Sequence, residues 1–493
     1  GIRWDEQHIA GQDVKYTFTD SWSPRIGVAI DPWGDRKSKI SAGYNRLHWS
    51  IPLDAAVRSL SSELDLLGLA FQPVISGTNI SVVTDSAHLL NKAAGGVTTS
   101  PTIFTSGGGE FILPGTRMNM ADEFMAGFEH EFKNGLVVSA RYVDRRLKRI
   151  VEDMSGISPE LANVGQSAPS FLGNPSPALD ATVNEHKGIP FAVGTPPPAS
   201  CGTNFLATTD DVGNGAEADD ANGNPEAGAG NALCWPQVGV VPNNAVAAAN
   251  GLVPGSPEFG GEPFSDGIAD GFAKPIRVYQ AVEIELNKQF SKNWMMRTSW
   301  TISKLQGNYQ GAFRGDNGQR DPGISSLFDF TPGFYNLLGD QFKPGVLPTD
   351  RRHLINAYFS YVFDKYAVKN LTLGTGVQIA SGTPVSNYGD HPVYQNAGEV
   401  PLGGRGILGR TPVNGQVDVH ADYPFKLSER NKLRFGTDLF NIANQKTVLT
   451  IDQFRDLTNQ PANSNLDFLK PGRGVTTTYQ RPFYARFFVR WEF

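Results

Sequence analysis

The amino-acid sequence predicts an all-β fold, a transmembrane antiparallel β-barrel with about twelve strands in this chain and long extracellular loops. Three observations predict it. Apolar and polar residues alternate with a period of two in many segments, as strands with one apolar and one polar face require. The links between these segments alternate between short and long along the chain. No uncharged apolar run of 18 residues occurs, which excludes a helical membrane protein.

The predicted strands follow one another from a partial strand at 2–5 to the C-terminus. The clearest one is the last, where one parity is apolar through Phe493 and the other carries Arg486, Arg490 and Glu492. The remaining predicted strands cover 24–30, 40–49, 124–132, 136–142, 279–286, 296–303, 355–363, 371–379, 416–425 and 433–439.

The lengths of the links decide between a membrane barrel and a soluble sandwich. The short links are 33–37, 133–135, 291–293, 364–370 and 428–431. The link 133–135 contains Asn-Gly, which is a strong hairpin signal. The long links are 51–121, 152–274, 307–348, 388–413 and 454–476, after a moderate first link at 9–20. A transmembrane barrel has short turns at one rim and long loops at the other.

Charged residues recur on the face opposite the apolar one, and they are the candidate lumen wall. A soluble core would not hold such charges unpaired, so a soluble all-β binding protein is the less favoured alternative. Aromatic residues near strand ends, such as Trp22, Tyr44 and Trp300, fit an interfacial girdle. The predicted lumen-facing polar wall consists of Glu283, Glu285, Arg297, Asp418, Arg434, Arg486 and Arg490.

Composition excludes several other functions. The 43 basic and 49 acidic residues give a net charge of −6 with both signs mixed along the chain, so we expect no nucleic-acid partner. The GxSxG, GxxxxGK[ST] and HExxH signatures are absent from the sequence, and we therefore expect no enzyme and no cofactor. The spacing of Leu53, Val57, Leu60, Leu64 and Leu67 predicts a short helix in the first long loop.

Several stretches resemble the barrel of TonB-dependent receptors of the Oar-like group. The C-terminal set Phe487, Val489, Trp491 and Phe493 resembles the assembly signal of bacterial outer-membrane barrels. The longer matching stretches are SPRIGVAIDPWGDRKSKISAGYNRLHWSIPLD (23–54), EFMAGFEHEFKNGLVVSARYVDRRLKRIVED (123–153), LPTDRRHLINAYFSYVF (347–363), GRTPVNGQVDVHADYPFKL (409–427) and DLFNIANQ (438–445).

The resemblance implies an outer-membrane transporter for energised uptake, with a 22-stranded barrel, an N-terminal plug and a TonB box that contacts an energising inner-membrane complex. We count twelve strands and find no plug or TonB box, so we interpret 1–493 as the C-terminal part of the barrel domain, with the plug domain absent. The implied partners are outer-membrane lipid, the barrel assembly machinery and, through the missing plug, the TonB complex. A self-contained twelve-stranded passive porin remains the alternative, and the substrate stays unidentified.

The link 152–274 is interpreted as a large extracellular loop insertion within the barrel domain. It contains both cysteines of the chain, Cys201 and Cys234, and because export is oxidising we expect them to form a disulfide that stabilises the loop by about 3 kcal/mol. An acidic stretch between them has the spacing of a calcium loop at Asp219, Asp220, Asn222 and Asn224. Pro225 stands where the loop needs Gly, so we prefer a solvated hairpin tip to a calcium site.

Overall fold

The chain was described with a computed structural model. It describes residues 1–11, 14–52, 64–67, 73–76, 79–82, 102–105, 111–113, 115–155, 170–179, 189–192, 196, 205–209, 231–236, 272–314, 328, 342–365, 368–389, 398, 400–428, 430–456, 465–471 and 478–493.

One large antiparallel sheet dominates the fold, and its strands pair in the order in which they occur along the chain. We number these strands β1 to β12. They are β1 Ile2–Trp4, β2 Trp22–Ile30, β3 Ser38–Trp49, β4 Asn119–Glu131, β5 Leu136–Arg149, β6 Arg277–Ser291, β7 Trp294–Gly307, β8 His353–Val362, β9 Thr372–Ala380, β10 Asn414–Lys426, β11 Lys432–Phe440 and β12 Tyr484–Glu492. The predicted all-β fold class is confirmed, and each predicted strand coincides with a strand of this sheet.

The smaller strands lie in the long links. Gly345–Val346 pairs with β7. The others form small sheets: Gln7–Gly11 with Val14–Phe18; Leu64–Leu67 with Thr102–Thr105; Pro73–Ser76 with Asn79–Val82; Phe111–Ile112, Ser170–Gly173 and Glu152–Ser155; Ile189–Ala192, Asn231–Pro236 and Phe205–Thr209; and Tyr388–Gly389 with Val400–Pro401.

The predicted helix over 53–67 is wrong at its C-terminal end. Leu64–Leu67 is a strand that pairs with Thr102–Thr105, because a cross-strand partner distant in sequence overrides a local helical spacing. Residues 53–63 lie outside the described part of the chain. Among the described residues, no helix is long and apolar enough to span a membrane.

The short links and the long links lie at opposite ends of the sheet. We call these ends the short-turn end and the long-link end. The tightest turn is Lys292–Asn293, where both residues have positive φ, 51° and 71°, as a type I′ hairpin between twisted strands requires. In the turn after β2, the Asp31 carboxylate accepts hydrogen bonds from the backbone N–H groups of Gly34 (2.9 Å) and Arg36 (2.6 Å). Such local bonds close the turns without a core.

The two sides of the sheet differ in chemistry. The side that we call the apolar face presents large hydrophobic side chains to the surroundings: Ile26 is 67% exposed, Phe487 78% and Trp491 63%. The side that we call the polar face carries the charged residues. A contiguous apolar surface of this extent is rare on a soluble monomer, so the sheet itself is built to contact an apolar medium.

The buried hydrophobic core lies at the long-link end, outside the large sheet's middle. One cluster joins Ile150, from the link after β5, to Tyr309 and Phe342, which both come from the link after β7. Burial of the Tyr309 hydroxyl raises its pKa well above the usual range, and the hydrogen-bonded negative charge of Glu152 raises it further. The phenol therefore stays protonated as part of the packed links. A second cluster consists of Ile9, Phe18, Ile51, Ile112, Met118, Val151 and Leu172.

Candidate functional site: the polar face

The predicted wall residues lie on one face of the sheet. Cross-strand pairing places Arg486 opposite Asp438, and Asp438 opposite His420. Because side chains alternate between the two sides of a strand, residues in register share a side. The same rule places Glu283 opposite Arg141 and Glu285 opposite Ser139.

Charges of alternating sign form a continuous network over β10 to β12. Arg486 donates to Asp438 at 2.6 Å. His420 contacts Asp438 through Nδ1 at 2.6 Å and Asp422 through Nε2 at 2.8 Å. Arg434 pairs with Asp422 and donates through Nε to Glu492 at 2.9 Å. With both ring nitrogens directed at carboxylates, the His420 imidazole is placed to donate from both, which is the hydrogen bonding of its charged form.

The Phe488 side chain covers this network on the polar face. Its ring stacks on the His420 ring, with the centroids 6.0 Å apart and the planes at 13°. The ring also covers Gly436, where a Cβ atom would lie 2.2 Å from the Phe488 Cζ atom. Glycine at this position lets the aromatic ring lie flat on the sheet, and the ring holds the imidazole between its two carboxylates.

A second group of ion pairs lies on the polar face of β3 to β6. Arg141 donates through Nε to Glu283 at 2.9 Å, and Arg145 donates to Glu123 at 2.8 Å. Glu285 accepts a hydrogen bond from Asn287 at 3.2 Å. The two arginine side chains are about half exposed, 53% and 48%, whereas their carboxylate partners Glu283 and Glu123 are only 24% and 9% exposed. The effect of these pairs is to make this side of the sheet wettable.

The remaining three predicted wall residues, like Glu285, form no ion pair in the described part of the chain. Asp418 accepts hydrogen bonds from Gln416 at 2.9 Å and from the Asn441 backbone at 2.9 Å. Arg490 lies over the Phe488 ring, 5.9 Å from its centroid, and Arg297 is exposed opposite Tyr358. Among the described residues, the wall thus carries charged groups of both signs outside its ion pairs, two arginines and the carboxylates of Asp418 and Glu285.

The stretches that resemble the receptor barrels carry the contacts at the long-link end of β7 to β12. Asp350 is fully buried, accepts a hydrogen bond from the Leu305 backbone and pairs with Arg410. Arg410 also donates to the Gly382 carbonyl at 3.0 Å, and Asn441 donates to the carbonyls of Gln445 and Arg481, both at 2.8 Å. These residues fix where the links leave the sheet.

The predicted assembly signal lies on the other side of the sheet, on β12. Phe487, Val489, Trp491 and Phe493 all point to the apolar face and are exposed. Trp491 donates through Nε1 to Asn431 at 3.2 Å, and its ring contacts Phe493 edge to face at 5.9 Å. Its recognition by assembly machinery stays a prediction.

The loop predictions fall outside what the structure describes. The calcium candidates Asp219, Asp220, Asn222 and Asn224 lie outside the described residues, as does Cys201. Cys234 lies in the strand Asn231–Pro236, opposite Ile189 and Ala207, but its side chain is not described. The structure therefore gives no support to the predicted disulfide. Within the described residues, no three His, Cys, Asp or Glu side chains are arranged to hold a metal ion.

Sequence reasoning missed the role of His420, which lies within the predicted strand 416–425. Its bridging position depends on Asp438 standing directly opposite it. The polar parity of β10 and β11 was visible in the sequence, but the register between them was not.

Comparison with known proteins agrees with this architecture. The chain is 24% identical over 500 residues to the TonB-dependent transporter Oar of Myxococcus xanthus, a match that covers 96% of this chain and 37% of Oar. The chain is similar to a TonB-dependent transporter. The resemblance inferred from the sequence is confirmed, and with it the bacterial outer-membrane location. The chain spans a little over a third of Oar's length, and no protein-family model matches it.

Solved structures with partial similarity include two receptors. The match to the ferripyoverdine receptor of the outer membrane of Pseudomonas aeruginosa covers 100% of this chain and 36% of the receptor chain, with 11% identity and a TM-score of 0.41. The match to the ferric-catecholate import receptor Fiu of Escherichia coli covers 97% of this chain and 36% of the Fiu chain, with 8% identity and a TM-score of 0.37. The fold described above rests on the chain's own strands and register.

Proposed function

We propose that this chain forms about half of the wall of a TonB-dependent outer-membrane transporter, with the polar face lining the lumen and the apolar face in contact with lipid. The observation that carries the proposal is the separation of the two faces over twelve consecutive strands. Phe487 and Trp491 are exposed on one face, while Arg486, Asp438 and His420 are bonded to each other on the opposite one. The substrate is not identified.

The open edges of the sheet support a larger barrel. Among the described strands, β1 pairs only with β2, and β12 pairs only with β11. Unpaired strand edges are not tolerated in a bilayer because their N–H and C=O groups have no partner there. We therefore propose that further strands complete the barrel, to the 22 strands that the resemblance implies, around a plug that engages the TonB complex.

The twelve-stranded passive porin is the second candidate, and it requires pairing between β1 and β12. The path of the sheet gives no support to that pairing. A soluble all-β binding protein would have to cover the exposed apolar face. Likeness to Oar over nearly the whole chain favours the transporter.

The assignment of faces is tested by thiol labelling in outer membranes. Val377 and Gln378 are neighbours on β9 but point to opposite sides. In a background with Cys201 and Cys234 replaced by Ser, a membrane-impermeant maleimide should label Gln378→Cys, while Val377→Cys should react only with a lipophilic maleimide. Equal labelling of both variants by the impermeant reagent would contradict a lipid-facing apolar side.

Conductance separates the transporter from the porin. The full-length protein that contains this chain is reconstituted into planar bilayers without any energy source. A plugged transporter should conduct little, whereas a passive porin should give steady open channels. Steady conductance in most insertions would favour the porin.

A further inference from the structure

Charged and polar side chains cross the apolar side of the sheet at its long-link end. We call this set the outer charged row. Cross-strand register aligns Arg46, Asp122 and Arg146 in one line and Asp144, Gln280 and Lys304 in the next. Lys148 lies at the register shift near the end of β5, with its ammonium 3.9 Å from Asp122. The side chains of the two lines lie on the same side of their strands as Phe124 and Val282, not on the polar face.

The first carboxylate of the row accepts hydrogen bonds from two residues and lies near a lysine. Arg46 donates to Asp122 with two nitrogens, Nε to Oδ1 at 2.8 Å and a terminal nitrogen to Oδ2 at 3.1 Å. The Tyr44 hydroxyl donates to the same carboxylate at 2.9 Å, and the Lys148 ammonium lies 3.9 Å away. Asp122 therefore holds Arg46 in place and leaves Lys148 only loosely paired.

The second carboxylate orients Arg146. Arg146 donates to both oxygens of Asp144, at 2.8 and 3.0 Å, and Gln280 donates to Asp144 at 2.8 Å. The Arg146 side chain is still 55% exposed, so other guanidinium nitrogens can take an external partner. Lys304 stands opposite Gln280 rather than a carboxylate.

Positive charge exceeds negative charge in the row. Its charged members are four cations, Arg46, Arg146, Lys148 and Lys304, and two carboxylates, Asp122 and Asp144, which leaves two positive charges in excess. The excess is local, because the strand residues of the apolar face on β8 to β12 include no Asp, Glu, Lys or Arg. A charge excess confined to β3–β7 needs an explanation that is also local.

The row borders the exposed aromatic residues directly. Tyr44, Phe124 and Tyr142 each lie two residues from a charged member of the row, a step of about 7 Å along a strand. A ligand that fits both surfaces has apolar chains for the aromatic side and an anionic head for the guanidinium and ammonium groups. Arginine forks and lysine ammonium groups bind phosphate strongly.

We propose that the outer charged row binds the phosphate groups of a phosphorylated lipid in the leaflet next to the long-link end. The proposal rests on the proposed function in one respect, that the apolar face contacts lipid. A soluble phosphate would use the charges but not the aromatic border, so the structure favours a lipid as the source of the phosphate. Phosphorylated lipids would bind at the long-link end of β3 to β7, whereas β8 to β12 would contact lipid through uncharged side chains.

The test uses two probes with the same acyl chains, bisphosphorylated lipid A and lipid A without its phosphates. Binding to the detergent-solubilised full-length protein is measured by native mass spectrometry. The variant combines Arg146→Gln, Lys148→Gln and Lys304→Gln, and the matched control combines Lys292→Gln, Lys365→Gln and Lys369→Gln at the short-turn end. The two triple variants remove the same charge.

We expect the affinity for bisphosphorylated lipid A to fall at least tenfold in the row variant, since each juxtamembrane cation contributes about fivefold. The control should change less than twofold, and the lipid without phosphates should bind all three proteins alike. An unchanged affinity in the row variant, an equal loss in the control, or displacement of the lipid by millimolar inorganic phosphate would each overturn the proposal.

Folding and the proposed function are checked separately. If the triple variant does not fold, Lys304→Gln alone, which breaks no ion pair among the described residues, should weaken binding about fivefold; no change there would also overturn the proposal. Absence of the wild-type protein from the outer-membrane fraction would count against the proposed function. Presence there with equal affinity for both lipids would count against the outer charged row alone.

Discussion

Asp350 shows how one buried residue controls the rim of the sheet. Its side chain is fully buried and its charge is balanced by Arg410, which is 26% exposed. Removing one partner of a buried pair leaves an uncompensated charge, so Arg410→Gln should lower the free energy of unfolding by about 3 kcal/mol. Urea unfolding of the protein in detergent micelles, followed by tryptophan fluorescence, measures this loss.

The double variant is the control for this pair. Asp350→Asn together with Arg410→Gln removes both charges and keeps polar groups of similar size. It should be more stable than Arg410→Gln alone, because the buried charge is gone. A double variant that loses the sum of both single effects would show that the two residues act independently.

At the scale of residues, the sequence predicts the face on which a side chain lies better than the residue that it contacts. Parity placed Arg434 and Arg486 on one face, and their hydrogen bonds agree with it. It did not predict that His420 joins Asp438 to Asp422, because a pairing across strands depends on register, which alternation within one strand leaves open. The outer charged row was not predicted for another reason: its members lie near the ends of their strands, beyond the centres where the alternation is clearest.

Strand β9 allows the two faces to be compared at adjacent positions. Val377 lies on the apolar face between Ala357 and Val417, and Gln378 lies on the polar face opposite Gln416. Val377→Arg should cost about 2–4 kcal/mol of stability near the bilayer midplane, whereas Gln378→Arg should change it by less than about 0.5 kcal/mol. Unfolding in lipid vesicles measures both. Equal losses would contradict the assignment of faces.

At the scale of elements, strands were predictable and the folded links were not. A period of two marks a strand such as β12 because each face meets a single uniform environment. The cluster of Ile150, Tyr309 and Phe342 joins links far apart in the chain, and such packing leaves no period in any one segment. The strand Leu64–Leu67 shows the same limit, since its partner Thr102–Thr105 decides its conformation.

At the scale of the whole molecule, the C-terminal residue should matter more for assembly than for stability. Phe493 is 95% exposed and its ring contacts only Trp491 among the ring pairs described for it. Phe493→Asp should therefore reduce the amount of assembled protein in the outer membrane several-fold, while the protein that does assemble unfolds with nearly the same free energy. Heat-modifiable migration on gels measures the assembled fraction.

Glu492 is the matched residue for this experiment, because it precedes Phe493 and points to the polar face. Its carboxylate accepts a hydrogen bond from Arg434 at 2.9 Å. Glu492→Gln should leave the assembled amount unchanged and cost little stability, because a single ion pair at the sheet surface contributes little. Equal assembly of Phe493→Asp and wild type would contradict an assembly signal at the C-terminus.

The edges of the sheet give the last prediction, which concerns closure. In the described strands, β12 is hydrogen-bonded on one side only, by β11, whereas β9 is bonded on both sides, by β8 and β10. If further strands complete the barrel, the outward amides of β12 gain partners and exchange as slowly as those of β9. Hydrogen exchange of the full-length protein in lipid, read on peptides covering 372–380 and 484–492, measures both. Slow exchange throughout β12 is the expected result, and rapid exchange of alternate β12 amides would mean that this edge stays open.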